Sequence, residues 1–165
     1  MIQLENVLVA TDFSEPSAKA LIYGRALAHT FGARLVVLHV AEVVTSGIGV
    51  GGGRFDDIQQ TAKDAAAAQI QGLLTDEDRQ ALHGQVVVLS SMSPAESIVR
   101  YAKDAAVDVI VIGTHGRSGV AHMLMGSVAE EVVRAAPCPV LTVRHSEHDF
   151  VLPDDASTRH PAAGS

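Results

Sequence analysis

Apolar residues in this chain fall into short unbroken runs, separated by longer stretches with helical spacing. The runs are Val7-Leu8-Val9-Ala10, Leu35 to Val40, Val86 to Leu89, Val109 to Ile112 and Val140 to Val143. They do not alternate with polar residues, as expected for strands covered on both faces. Between the first two, Ala20, Leu21, Gly24, Leu27, Ala28 and Phe31 recur at helical spacing, which predicts a helix from Pro16 to Phe31 stopped by Gly32. An alanine-rich helical stretch runs from Ile58 to Leu82, with a break expected near Thr75 to Asp78. Ser93-Pro94-Ala95-Glu96 reads as a capping box opening a helix to about Ala105, and Ser127-Val128-Ala129-Glu130 as a second, with its helix ending before Pro137.

The order βαβαβαβαβ predicts one α/β domain. Its sheet is open, five-stranded and parallel, with helices on both faces, in a Rossmann-like arrangement. Ligands in such sheets sit beyond the carboxyl ends of the strands, where strand order reverses. The loops after Ala10, Val40, Leu89 and Ile112 are therefore the ones to inspect. Two segments fall outside the packed pattern. Ser46 to Gly53 is glycine-rich without a Gly-Lys-Ser/Thr ending, so it reads as a mobile connector and not as a P-loop. Residues 145–165 are polar and read as a disordered tail following a domain of residues 1–144.

Composition narrows the picture. The chain has 165 residues, enough for one full core, and its formal net charge is −7. That charge gives no general attraction to nucleic acid or anionic lipid, so an anionic ligand needs a local binding device. No apolar run approaches a membrane span and no signal peptide is visible. Cys138 is the single cysteine, which excludes an intramolecular disulfide and makes the cytoplasm the simplest compartment.

The local device lies between Gly113 and Ser127, where the fourth strand ends and a helix begins. Glycines there let backbone approach a phosphate, and N–H groups near Gly126, Ser127 and Val128 can donate to its oxygens. No Asp or Glu occurs between Asp108 and Glu130, while Arg117 adds a cation. Taken singly, the glycines read as turns and Ser127 as a helix cap; taken together they point to an anion site.

This stretch has Gly113, two residues, Gly116, nine residues, then Gly126-Ser127. With the opening Val7 to Asp12 and the closing Ala136-Pro137-Cys138-Pro139-Val140, it resembles the nucleotide-binding members of the universal stress protein family over roughly Ile2 to Arg144. The resemblance implies an adenine nucleotide alpha hydrolase-like fold with ATP or another adenine nucleotide, with or without Mg²⁺, between the first and fourth strand loops. It implies nucleotide contacts at Thr11, Asp12, Val40, Gly113, His115, Gly116, Arg117, Gly126, Ser127 and Val128. Asp12 would lie by the adenosine, Val40 would meet the adenine edge through its backbone, and Gly113 would sit near the ribose. It also implies a homodimer paired through the edge strand Pro139 to Val143. Many relatives have glycine where this chain has Met92, a side chain expected to narrow the cleft.

Other residues have plainer readings. Asp12, ahead of Ser14 and Pro16, also suits a turn into the first helix. His39 reads as a hydrogen-bonded core residue, and Cys138 as a small buried apolar group. His115 and His122 lack partners for a zinc site, and Met123 and Met125 read as packing under the loop. No nucleophile elbow or paired acid and base is present. Asp12 with Mg²⁺ would support slow ATP hydrolysis at most. The functions in competition are a nucleotide-set stress or signalling module, a nucleotide-free dimeric adaptor of the same fold, and a slow ATPase.

Overall fold

The computed structural model describes residues 1–43, 52–114, 126–144 and 151; for 52–59 it describes the backbone alone. Ten elements follow in order: β1 (Asn6–Ala10), α1 (Glu15–Phe31), β2 (Arg34–Glu42), α2 (Gly52–Gln71), α3 (Asp76–Ala81), β3 (Gln85–Ser91), α4 (Pro94–Asp104), β4 (Val109–Gly113), α5 (Ser127–Ala135) and β5 (Val140–Val143). The strands form one parallel sheet in the order β3-β2-β1-β4-β5. The chain winds outward from β1 to β3, then returns to the other side of β1 with β4. The reversal therefore falls between β1 and β4, the place expected for a ligand crevice.

All five strands lie where the apolar runs predict them, and their alternate residues divide between two cores. Val7, Val9, Leu35, Val37 and Val111 pack on one face with Ala20, Tyr23, Ala28, Ile70 and Leu74 of the α1–α2 side. Leu8, Val36, Leu38, Ile110 and Ile112 pack on the other with Ala95, Ile98, Ala102, Ala129 and Val132 of α4 and α5. Helices on both faces explain why the strand runs lack polar alternation. Cys138 is half-buried beside the second core, where burial and the Asp108 carboxylate push its thiol up. Among the described residues no helix is long and apolar enough to cross a membrane.

Two boundaries and one cap differ from the sequence expectation. Helix α2 begins at Gly52, so the end of the glycine-rich stretch is helical; residues 44–51 lie outside the described residues. The break in the alanine-rich region falls just ahead of Thr75, which is the N-cap of α3 with a complete capping box to Asp78. Ser93 precedes α4 but makes no side-chain cap bond. Its own N–H instead donates to Ser91 Oγ at 3.0 Å. Of the tail, Val151 is described, and it is half-buried against the α1–α2 core.

The short helix α3 is tied to α1 by a buried ion pair that the apolar pattern does not reveal. Arg25 Nε and Nη2 donate to the two Asp78 carboxylate oxygens at 2.7 and 2.8 Å. Asp78 is 1% exposed, and its carboxylate also accepts from Thr75 N–H. Its backbone carbonyl accepts from Leu82 and Gly84. Burial pushes the Asp78 carboxyl up, but the bonds from Arg25 and Thr75 outweigh it and hold it below the usual range. A depressed folded pKa gives stability that is complete above the unfolded value near 3.9 and lost as pH falls through the folded one. Asp78→Ala should therefore cost about 3 kcal/mol in urea unfolding at pH 7, because Arg25 loses its partner. The deficit should shrink as the pH drops below about 4. Equal stability of variant and wild type at pH 7 would refute this role.

Candidate functional site

The site begins at the turn leaving β1. Thr11 N–H donates to Leu38 carbonyl at 2.9 Å, the last rung between β1 and β2. Thr11 Oγ1 accepts from Phe13 N–H and lies 3.0 Å from Ser17 Oγ. One Asp12 carboxylate oxygen accepts from both the N–H and the hydroxyl of Ser14. Ser14 in turn caps α1 by accepting from Ser17 N–H. Asp12 thus does shape the turn into α1, and it also faces the crevice. Phe13 closes the turn with φ of 64°, a left-handed conformation that costs about 1 kcal/mol or more for a residue with a side chain.

The second wall comes from β4 and α5. Thr114 is fully buried, and its N–H donates to Val143 carbonyl at 2.9 Å. Its own carbonyl accepts from Gly126 N–H. This bond joins the two ends of the glycine-rich segment and brings Gly113 and Gly126 to one rim. It also alters the expected donor set, because the Gly126 N–H is already engaged. Gly126 is the N-cap of α5 and Ser127 its first helical residue, so Ser127 does not cap the helix. The first helical bond runs from Glu130 N–H to Gly126 carbonyl at 3.0 Å. The N–H groups of Ser127, Val128 and Ala129 have no partner within the helix. Gly126 has φ −71° and ψ 153°, angles open to any residue, so backbone conformation does not require a glycine there.

These elements enclose a cavity of about 720 Å³, floored by Ala10, Leu38 and Ile112. Of the ten residues predicted for the site, Thr11, Asp12, Val40, Gly113, Gly126, Ser127 and Val128 line it together. His115, Gly116 and Arg117 lie outside the described residues, as do His122, Met123 and Met125. The cavity also takes in Phe13, His39, Glu42, Thr114 and one face of α2: Ala62, Ala65, Ala66 and Gln69. That face was legible as i, i+3, i+4, i+7 spacing, but nothing in the sequence said that it turns toward a ligand. His39 is hydrogen-bonded as expected, with Nδ1 2.8 Å from Thr11 carbonyl, yet it borders the cavity. Met92 does not narrow the cleft: it is 70% exposed and is not among the lining residues.

Asp12 and Glu42 are the formally charged side chains in the described lining, and no Lys or Arg joins them. Among the described residues, the features of this wall that suit an anion are the α5 N–H groups and the positive end of the helix dipole. Among the described residues no group of three His, Cys, Asp or Glu side chains could hold a metal ion.

Gly113 has a packing duty of its own. A Cβ on it would lie 2.8 Å from the Pro16 carbonyl carbon and 2.9 Å from Ser17 N. The first turn of α1 comes that close to the end of β4. Gly113→Ala should accordingly lower stability by about 1–3 kcal/mol in urea unfolding with no ligand present. An unchanged midpoint would mean that the contact yields without cost and that the glycine serves another purpose.

Comparison with known proteins adds a family. The model of the Universal stress protein family matches residues 3–144. A universal stress protein from Thermus aquaticus is 33% identical over 145 residues, covering 85% of this chain and 98% of that one. The solved structure of UspA from Lactobacillus plantarum is similar with a TM-score of 0.67 at 25% identity, over 87% of this chain and all of that one. A universal stress protein from Archaeoglobus fulgidus, solved in complex with dAMP, has a TM-score of 0.53 at 22% identity, over 86% of this chain and 99% of that one.

Proposed function

The chain belongs to the universal stress protein family, and from that premise we propose that its cavity binds an adenine nucleotide, with ATP as the ligand. The observation that carries the reading is the difference between the two ends of the cavity. At one end the unengaged N–H groups of the α5 first turn suit phosphate oxygens. At the other, Val40 and the small side chains of Ala62, Ala65 and Ala66 border a slot that suits a flat base. A volume of about 720 Å³ is ordinary for a small-molecule site. The relative solved with dAMP supports the choice of adenine. Mg²⁺ accompanying the phosphates would offset their own charge. Nucleotide occupancy then sets the state of a stress-response or signalling module.

The test is calorimetric titration of ATP, ADP and adenosine into wild type and three variants. Gly126→Val puts a branched side chain at the rim and should abolish measurable ATP binding. Ser127→Ala should leave stability within about 0.5 kcal/mol, since no cap bond is lost. It should weaken ATP by about 1 kcal/mol through loss of one hydroxyl. Arg117→Ala should weaken ATP more than adenosine. If wild type takes up no adenine nucleotide with Mg²⁺ present, or Gly126→Val binds as wild type does, the adaptor reading replaces this one.

The module in this reading is a homodimer paired through Pro139 to Val143. Among the described residues β5 is the last strand of the sheet, and one side of its backbone ladder has no described neighbouring strand. Light scattering at micromolar concentration should give twice the chain mass of 17.3 kDa, and Leu141→Pro should reduce it. A monomeric wild type would rule out the pairing.

A further inference from the structure

We propose that His39 is a positioning residue that ends the β1–β2 ladder and keeps the backbone edge of Val40 open to the cavity. In a parallel pair, alternate residues of a strand direct both N–H and carbonyl to the same neighbour. Leu38 directs its groups to β1, since its carbonyl accepts from Thr11 N–H at 2.9 Å. Val40 is next on that side, and the acceptor in line for its N–H is the Thr11 carbonyl. That rung is not made: the register between β1 and β2 ends at Ala10–Leu38. The Thr11 carbonyl is instead 2.8 Å from His39 Nδ1. A carbonyl oxygen only accepts, so Nδ1 carries the proton. A side-chain bond has replaced a backbone rung. Phe13, turned back by its positive φ, seats its ring 4.5 Å from the imidazole and helps hold it in place. On its other side β2 remains paired with β3 through Glu42–Ser91, so the strand keeps one partner while its other edge opens.

The edge so exposed is one N–H donor beside one carbonyl acceptor. Adenine presents the complementary order, an amino donor at its six-position beside a ring acceptor, whereas hypoxanthine and guanine present a carbonyl acceptor beside an N–H. With phosphates held at α5, a ligand cannot turn over to correct the mismatch. This base preference rests on the nucleotide reading above; the backbone arrangement does not.

Amide hydrogen exchange by NMR on the ligand-free protein tests the backbone claim. The Val40 amide should exchange far faster than those of Val36 and Leu38. In His39→Leu it should become protected as the missing rung forms. In His39→Asn, whose amide N–H can reach the same carbonyl, it should stay fast. Nitrogen-15 spectra of wild type should show His39 protonated at Nδ1, which keeps the test decisive if His39→Leu fails to fold. A Val40 amide as slow as Leu38 in wild type, unchanged exchange in His39→Leu, or a proton only on Nε2 would overturn the proposal. In titrations, wild type should favour ATP over ITP, His39→Leu should cut that preference about tenfold, and His39→Asn should restore it. If wild type binds neither ATP nor adenosine while Val40 exchanges fast, the nucleotide reading fails and the role of His39 in the ladder stands.

Discussion

Where β1 stops decides the shape of the carboxyl end of the sheet. β1 pairs with β2 only as far as Ala10–Leu38, while β2 continues beside β3 to Glu42. β4 runs on to Gly113 and pairs there with β5. The central strand is therefore shorter than its neighbours at the end where the strand order reverses. The cavity occupies the room it leaves. A parallel sheet buried on both faces has few places where backbone groups can remain unpaired without cost, and a shortened central strand creates one that ligand or water can fill.

The polar groups around that space hold the turn at Thr11–Ser14 in a single shape. Thr11 is bonded through its N–H, its carbonyl and its hydroxyl. Asp12 and Ser14 close the next link, and Ser14 hands the turn on to α1. At the amino end of the sheet, Asp108 accepts from the N–H groups of Glu5 and Asn6 and fixes the entry into β1 in the same way. Carboxylates at both ends of β1 thus satisfy backbone donors, and they are part of the folding pattern of this acidic chain as well as its charge.

Much of this was legible in the sequence. The five strands could be read because their continuous apolar runs are short and rich in β-branched Val and Ile, which suits a doubly covered strand better than a buried helix. Seven of the ten residues predicted for the site line the cavity because glycines and a strand end mark the same loops in sequence and in space. What was not legible depends on partners distant along the chain. Ser127 and Glu130 have the letters of a capping box, but the bond from Gly126 to Thr114 settles the helix start one residue earlier. Ser93 has the same letters, and its N–H is held by Ser91. Thr75 and Asp78 make the box that the pattern passed over, and Asp78 then meets Arg25 from a different helix. Met92 occupies a position suited to crowding the cleft, and its side chain turns to solvent. Local patterns name the candidates, and contacts across the fold choose among them.

The face of α2 at the cavity has a bearing on how this fold diversifies. Ala62 and Ala65 are exposed, and neither belongs to the two apolar cores. Replacing them with larger or polar side chains would reshape the base end without opening a void in the interior and without touching α5, which lies on the opposite face of the sheet. In the proposed reading, ligand choice and phosphate capture thereby fall to separate helices. Such a division lets one vary under selection while the other stays constant, and it makes α2 the natural place to retune the pocket by engineering.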